Sequence, residues 1–322
     1  MTPVLSLLSE MPAGTRERLF ARARGRRVAL PETDDIRIRE AAEVLSAHFG
    51  VACLLPTPEF LEAHRTLVSD RLREVATLRG KDPAKVPQGM EADAFYLCGT
   101  LLARGDVDAV VGGAVASTAH VLRAALSTVG LRSGTSLVSS AFLMALREPT
   151  PGGEPLLVFS DGAVNPQPTA AQLSDIAKLA ADAFFAWTGN EPRIAFLSFS
   201  TKGSAEHPDV TKVRDAFALF VKRCPDVKAT GEVQLDTALV PSVAVRKDAE
   251  GSLAGNANVL VFPDLDAGNI GYKLTQRLAG AGAYGPILLG VARPFSDLSR
   301  GASSLDVVAT TLLTLSLEDP AK

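Results

Sequence analysis

The chain has 322 residues, of which 47% are hydrophobic and 6% aromatic, and its formal net charge is −3. At this length the hydrophobic share supports a large core and two domains. The near-neutral charge and the few aromatic residues argue against the basic surface and the stacking platforms that bind nucleic acids, so we expect no nucleic-acid partner.

The amino terminus, Met1 to Glu10, has an apolar run without a positively charged start or a small-residue cleavage pattern, which argues against a signal peptide. No stretch reaches the roughly 20 apolar residues that a membrane span needs. The cysteines Cys53, Cys98 and Cys224 lie far apart and lack metal or disulfide spacing. We therefore expect a soluble, cytoplasmic protein with no membrane partner and no metal.

Short apolar runs alternate with longer amphipathic stretches, a pattern typical of parallel sheets covered by helices. The runs that predict strands are 28–30, 51–55, 108–113, 156–160, 194–199, 259–262 and 286–290. The stretches that predict helices are 36–49, 117–127 and 270–278, with further helices beginning near His207-Pro208 and near Ser303. The residues 263–269 predict a turn, and 78–89 an exposed loop.

A Pro/Gly cluster at 149–153 is the clearest break in composition. It predicts either a domain boundary or a hairpin turn, and the residues alone leave both open.

The segment Ser299-Arg300-Gly301 predicts a phosphate-binding turn just before a helix. The guanidinium of Arg300 can give two parallel hydrogen bonds to a phosphoryl group, and Ser299 adds a hydroxyl. The backbone at Gly301 can approach an anion closely, and the helix start adds a positive dipole end. With Asp306 just inside that helix, the segment indicates phosphate chemistry beside a proton acceptor.

Two plainer interpretations of these residues stay open. Arg300 could be a surface arginine paired with Asp297. Asp306 could be the acid of a capping box with Ser303, satisfying backbone donors at the helix start.

Four long blocks make the chain resemble the phosphate acetyl/butyryltransferase family, and within it the phosphate acetyltransferases. The resemblance runs from about Val28 to Leu313, and its blocks are 196–204, 231–236, 258–276 and 297–306. It implies an α/β fold of two domains with mainly parallel sheets flanked by helices, similar to isocitrate and isopropylmalate dehydrogenases, with an active cleft between them. We expect a discontinuous first domain, 1–148 plus 292–322, and a second domain, 149–291.

The resemblance also implies the reaction and its partners. These are reversible acetyl transfer between acetyl-CoA and phosphate, giving acetyl phosphate and coenzyme A, in acetate metabolism. Coenzyme A is then a substrate, no separate cofactor is expected, and a homodimer is the expected assembly.

In this resemblance Arg300 and Ser299 hold the phosphoryl group, and Asp306 deprotonates the coenzyme thiol. Ordinary pKa values of about 3.9 for Asp and 8.5 for a thiol differ by about 4.6 units, or roughly 6 kcal/mol. We therefore expect proton transfer concerted with direct thiolate attack in a ternary complex, without an acyl-enzyme.

Further candidates for substrate binding lie on strand-to-helix turns and at one helix start. For Ser117, Thr118 and Arg123 the plain alternative is an N-cap and a surface arginine. Asp264 and Asp266 suggest magnesium only weakly, because Asp in a turn usually binds its own backbone. The candidates are Ser117, Thr118, Arg123, Ser200, Thr201, Lys202, Ser204, Asn269, Tyr272 and Lys273.

A basic rim for the phosphates of coenzyme A is expected, and a charge-rich patch offers one. A solvated helix face is the plainer interpretation of such a run. The patch consists of Arg71, Arg73, Arg79, Lys81 and Lys85.

Three positions depart from the family pattern. Many members have Cys at the position of Gly162, His at that of Ala116 and Cys at that of Ala302. The departures put a thiol or imidazole contribution in doubt, but not the ternary mechanism.

Three other functions compete with this one. A butyryl-preferring transferase differs only in the volume of its acyl pocket, worth about 1–3 kcal/mol. A non-catalytic acetyl-CoA-sensing module resembles the domains at the end of some malic enzymes. A decarboxylating dehydrogenase needs an acid cluster for metal and a nicotinamide loop, and neither is evident.

Overall fold

The structure is a computed structural model that describes residues 8–317. Residues 1–7, which form most of the apolar run at the amino terminus, lie outside it. The contacts divide the described chain into two compact units. The six-stranded unit comprises Leu8–Arg18 and Thr135–Leu289, and the four-stranded unit comprises residues 19–134 and 290–317.

The four-stranded unit is built on a wholly parallel sheet in the order β10-β3-β1-β2. Its strands are β1 (Arg27–Ala29), β2 (Ala52–Leu54), β3 (Ala109–Gly112) and β10 (Phe295–Asp297). Its helices are α2 (Ile36–Phe49), α3 (Pro58–Ala63), α4 (Arg65–Leu78), α5 (Ala94–Arg104), α6 (Thr118–Thr128) and α12 (Ser304–Ser316). The helix α1 (Ala13–Ala23) precedes them and has residues in both units, since the division falls after Arg18.

The six-stranded unit has a mixed sheet in the order β7-β6-β8-β5-β4-β9, with β4 antiparallel to both neighbours. Its strands are β4 (Ser139–Ala145), β5 (Leu156–Ser160), β6 (Arg193–Leu197), β7 (Lys228–Val233), β8 (Val259–Val261) and β9 (Gly282–Leu289). Its helices are α7 (Ala170–Thr188), α8 (Pro208–Arg223), α9 (Leu235–Leu239), α10 (Pro241–Lys247) and α11 (Leu265–Leu278).

Each unit buries its own core. In the four-stranded unit Val28, Val110 and Phe295 are fully buried on the sheet. In the six-stranded unit the single tryptophan of the chain, Trp187, is fully buried on α7. The buried strands read as continuous apolar runs because helices cover both faces of a parallel sheet.

All seven predicted strands are present, with ends shifted by a few residues. The helix 36–49 begins where predicted because Asp35 caps it, accepting a hydrogen bond from the backbone N–H of Arg37. The predicted helix starts near His207 and Ser303 are also confirmed, since both residues are N-caps.

The turn predicted over 263–269 is wrong for its later residues, because α11 already begins at Leu265. Asp264 caps this helix through the backbone N–H of Ala267. A Cβ at Gly268 would lie 2.0 Å from the carbonyl oxygen of Asp161, so close packing requires glycine inside the helix. Gly268, a poor helix former that suggested a turn, is therefore present because of packing.

The Pro/Gly cluster at 149–153 forms the turn between the antiparallel strands β4 and β5. This is the hairpin that the sequence left open as an alternative. The hairpin lies within the second segment of the six-stranded unit, Thr135–Leu289.

Within residues 8–317, none of the helices combines the length and the apolar character needed to cross a membrane.

Candidate active site

Three loops of the four-stranded unit follow the carboxyl ends of neighbouring parallel strands, where α/β sheets bind ligands. They are the turn after β1 at Pro31–Asp35, the loop after β3 at Gly113–Ser117, and the turn after β10 at Leu298–Ala302. The order β10-β3-β1 places these loops side by side at one edge of the sheet.

Glu32 holds the middle loop in place. Its two carboxylate oxygens accept hydrogen bonds from the backbone N–H groups of Gly113, Ala114, Val115 and Ala116, each at 2.8 Å. Consecutive N–H groups of this kind form a concave site for an anion, and here the anion is a side chain of the same chain. Glu32 is absent from the predicted site residues because nothing local in the sequence marks its partners.

Arg37 joins the middle loop to the turn after β10. Its guanidinium donates to the carbonyl oxygens of Arg300 at 2.9 Å, Ala302 at 2.8 Å and Ala114 at 2.9 Å. Asp35 holds the guanidinium at 2.6 Å, and this hydrogen bond raises the pKa of Arg37 and lowers that of Asp35. These hydrogen bonds fix the backbone of the turn that carries Arg300.

Asp297, considered from the sequence only as a partner of Arg300, has a different environment. It is 1% exposed, and its Oδ2 accepts a hydrogen bond of 2.6 Å from the hydroxyl of Thr118. Burial raises the pKa of Asp297 to about 6. A Cβ at Gly113 (φ 115°) would lie 2.1 Å from Oδ1 of Asp297, so only glycine fits beside this carboxylate.

Arg300 and Ser299 are exposed at the turn that Arg37 fixes. The proposed pairing of Arg300 with Asp297 is wrong, because Asp297 is buried and bonded to Thr118. In the described part of the chain the guanidinium of Arg300 makes no hydrogen bond or ion pair. It is therefore available to an anion from solvent.

Asp306 occupies the capping box that the sequence offered as its alternative role. Its Oδ2 accepts hydrogen bonds from the N–H and the hydroxyl of Ser303, both at 2.8 Å, and the Ser303 hydroxyl accepts from the N–H of Asp306. The residue is exposed. Only one of its two carboxylate oxygens is used by the cap, so a role as proton acceptor stays a prediction.

The remaining candidates of this unit lie on α6. Ser117 is its N-cap, as the plain alternative held, and accepts from the N–H of His120 at 3.3 Å. Thr118 contacts Asp297, whereas Arg123 is exposed farther along the helix and lines a cavity of 470 Å³. Arg79, Lys81 and Lys85 line the same cavity.

The other two members of the predicted basic rim are paired on the surface of α4. Arg71 contacts Glu74 at 2.8 Å and the carbonyl oxygen of Thr128 at 2.7 Å. Arg73 lies 3.6 Å from Asp70. Arg71 therefore joins α4 to the end of α6, and the solvated helix face is the better description of Arg73 alone.

In the six-stranded unit, the candidates after β6 form a loop that Glu232 organises. Glu232 is 1% exposed and accepts from the Gly203 N–H at 2.7 Å, the Ser200 hydroxyl at 3.1 Å and Arg214 at 3.2 Å. Burial raises the pKa of Glu232, but these hydrogen bonds together hold it below its ordinary value.

The hydroxyl groups of this loop are already used inside it. Ser200 and Thr201 are buried, and the Thr201 hydroxyl accepts from the Gln234 N–H at 2.9 Å. Ser204 accepts from the Thr201 N–H at 3.0 Å, and the exposed Lys202 donates to the carbonyl oxygen of Gly231 at 3.0 Å. In this structure these side chains shape the loop, and their contact with substrate stays a prediction.

The candidates on α11 differ in how they are held. Asn269 donates to the carbonyl oxygen of Gly162 at 3.0 Å. Tyr272 stacks on Phe142 with ring centroids 3.9 Å apart, and burial raises its pKa. Lys273 is exposed with its ammonium 5.7 Å from the Tyr272 ring.

Residues 15–315 match the family model described as "Phosphate acetyl/butaryl transferase". The chain belongs to this family. A phosphate acetyltransferase of Paracoccus denitrificans is 40% identical over 307 residues, covering 91% of this chain and 95% of the relative. A crystal structure of a phosphotransacetylase from Streptococcus pyogenes is 32% identical with a TM-score of 0.84, covering 95% of this chain and 98% of the other.

The same α/β architecture extends beyond this acyltransferase family. A 4-hydroxythreonine-4-phosphate dehydrogenase from Klebsiella pneumoniae has a TM-score of 0.52 at 13% identity, covering 92% of this chain and 99% of the other. At that identity the likeness concerns the fold alone. It agrees with the predicted relation to dehydrogenase folds.

The departures from the phosphate acetyl/butyryltransferase pattern leave no activated thiol among the described residues. Cys98 and Cys224 are buried and Cys53 is half-buried, and burial raises the pKa of all three thiols. At Gly162 a Cβ would lie 3.0 Å from the Phe142 ring, so the stacked rings of Phe142 and Tyr272 crowd the space of a larger side chain.

No group of three or more His, Cys, Asp or Glu between residues 8 and 317 is placed to hold a metal ion. Asp264, which suggested magnesium, instead caps α11.

Proposed function

We propose that this protein catalyses reversible acetyl transfer between acetyl-CoA and phosphate, giving acetyl phosphate and coenzyme A. The observation that carries the proposal is the exposed guanidinium of Arg300, which has no hydrogen-bond or ion-pair partner within residues 8–317. It lies on a turn fixed by Arg37, in a chain that matches the transferase family over residues 15–315. Coenzyme A is a substrate in this reaction, and no other cofactor takes part.

In the proposed reaction the coenzyme sulfur attacks the carbonyl carbon of acetyl phosphate directly. A carbon–sulfur bond forms, the carbon–oxygen bond to phosphate breaks, and the thiol proton passes to Asp306 as the sulfur attacks. Arg300 and Ser299 bind the oxygens of the departing phosphate, where negative charge accumulates. The thiol carries no charge before the transfer, so the site need not stabilise a free thiolate.

The function is tested by mixing the purified protein with acetyl phosphate and coenzyme A and following thioester absorbance. We expect turnover that depends on both substrates, and slower turnover with butyryl phosphate. A protein that binds acetyl-CoA tightly but forms no thioester from acetyl phosphate would contradict the proposal and favour a sensing module.

The proton-acceptor role of Asp306 needs a control, because the same carboxylate caps α12. Asp306→Asn should lower kcat by about 10²–10⁴-fold, the range of general base catalysis. Ser303→Ala breaks the cap but keeps the carboxylate, at a cost of about 1 kcal/mol in stability. If both variants lose the same fraction of kcat, the cap explains the loss and the base assignment fails.

We further propose a cytoplasmic homodimer that acts in acetate metabolism. An apolar stripe on α11 supports self-association: Ile270, Leu274 and Leu278 are 57%, 51% and 82% exposed, at intervals of one helical turn.

A further inference from the structure

An open cavity of 660 Å³ lies at the carboxyl edge of the four-stranded sheet, bounded by the turn after β1, the start of α5 and the loop before α6. Leu61, Phe95 and Ala116 give it apolar walls. Val115, also part of its lining, is 65% exposed and adds apolar surface at its mouth.

A histidine is held rigidly on one wall of this cavity. Nε2 of His120 lies 3.1 Å from Oδ2 of Asp93, whose Oδ1 accepts from the N–H of Phe95 at 2.8 Å. The imidazole also packs edge-on against Phe95 and Tyr96, with ring centroids 5.1 and 5.9 Å away. These contacts favour the ring orientation in which Nε2 faces Asp93.

The arrangement leaves one nitrogen of His120 available. When the proton of the neutral ring sits on Nε2, the nitrogen that faces the Asp93 carboxylate, Nδ1 carries a lone pair. In residues 8–317 no hydrogen bond to this nitrogen is made. It can accept a hydrogen bond from an N–H group that enters the cavity.

The charge of the cavity selects against anions. Its lining includes the carboxylates of Glu32 and Asp93, and no lysine or arginine of the described chain belongs to it. The N–H groups that would attract an anion there already bind Glu32. A neutral ligand with apolar segments and N–H donors fits these walls.

We propose that this cavity binds the neutral pantetheine arm of coenzyme A, with Nδ1 of His120 accepting a hydrogen bond from one of its amide N–H groups. The inference rests on the proposed function and adds His120 as a binding residue oriented by Asp93. Ser117, a predicted substrate contact, lines the same cavity one helical turn before His120.

The kinetic test compares the two substrates. His120→Ala should raise KM for coenzyme A about tenfold, equivalent to about 1.4 kcal/mol, while KM for acetyl phosphate stays within twofold. His120→Asn should restore most of the affinity, because the Asn side-chain oxygen can accept the same hydrogen bond. His48→Ala, on the exposed surface of α2, is the matched control and should change neither KM.

Two results would overturn the proposal. One is a KM for coenzyme A within twofold of wild type in His120→Ala. The other is a loss that affects both substrates equally, because it would mean that His120 only supports the structure.

A binding experiment separates this inference from the proposed function. Pantetheine is titrated into the wild-type protein and into His120→Ala, and heat is followed by calorimetry without any turnover. Weaker binding to the variant supports the cavity even if the wild type forms no thioester, in which case the proposed function alone fails. Equal binding to both proteins rejects the cavity.

Discussion

Arg300 and Asp297 lie close in sequence but have opposite environments, and this contrast decides what each can do. Arg300 is exposed and its guanidinium has no partner among the described residues, whereas Asp297 is 1% exposed and bonded to Thr118. A mutation at Arg300 should therefore act on binding and turnover, and a mutation at Asp297 on stability.

Arg300→Gln should reduce kcat/KM for acetyl phosphate by about 10²–10³-fold, since it removes a charge that stabilises the departing phosphate. The melting temperature should stay within a degree or two, because no contact of the folded chain is lost. Steady-state kinetics and thermal unfolding on the same sample check both parts. Arg73→Gln is the control, since Arg73 pairs with Asp70 on the outer face of α4.

Asp297 predicts a pH dependence of stability. Its pKa is raised from an ordinary 3.8 to about 6 in the folded protein. At a pH between these two values, folding is therefore accompanied by the uptake of a proton. The contribution of Asp297 to the free energy of unfolding should then fall as pH rises from 4 to above 6, by roughly 3 kcal/mol at most, and become level beyond that.

The measurement compares wild type with Asp297→Asn in urea unfolding at several pH values. The asparagine cannot ionise, so the difference between the two proteins should change across this pH range in favour of the variant. Parallel curves at all pH values would show that Asp297 titrates at its ordinary pKa.

The loop after β3 determines where α6 begins, and its conformation depends on Glu32. Glu32 accepts four backbone hydrogen bonds from Gly113 to Ala116, and these fix the segment that leads into α6. Ser117 and Thr118 follow directly, so their positions depend on a residue that is remote in sequence.

Glu32→Ala should destabilise the protein by about 1–3 kcal/mol and expose the amides of Gly113–Ala116 to hydrogen exchange. Exchange followed by mass spectrometry on peptides that cover this loop tests the prediction. Glu43→Ala, on the exposed face of α2, should leave the exchange unchanged. Faster exchange confined to other segments would contradict the role of Glu32.

The elements that the sequence predicted are those with a strong local signal. Strand β5 is a continuous apolar run, and α2 has a capping aspartate before its first turn. The hydrogen bonds of Arg37 to Ala114 and Arg300 could not be predicted, because they join segments far apart in sequence. Nor could the burial of Ser200 and Asp297, whose polar side chains suggest exposure until their partners are known.

At the scale of the whole molecule, the exposed stripe on α11 leads to a prediction about assembly. Leu274→Glu places a charge in the stripe formed by Ile270, Leu274 and Leu278. If the stripe buries itself against a second copy, the variant should shift the mass measured by light scattering from dimer to monomer. Gln276→Glu on the same helix is the control, and an unchanged dimer in Leu274→Glu would place the interface elsewhere.

The chain carries a natural reporter for only one of its two units. Trp187 is the single indole, and it is fully buried on α7 of the six-stranded unit. Intrinsic fluorescence during denaturant unfolding will therefore follow that unit, whereas far-ultraviolet circular dichroism averages over all helices and strands. Superimposable curves from the two signals would mean that both units unfold in one cooperative step, and separated curves would give each unit its own midpoint.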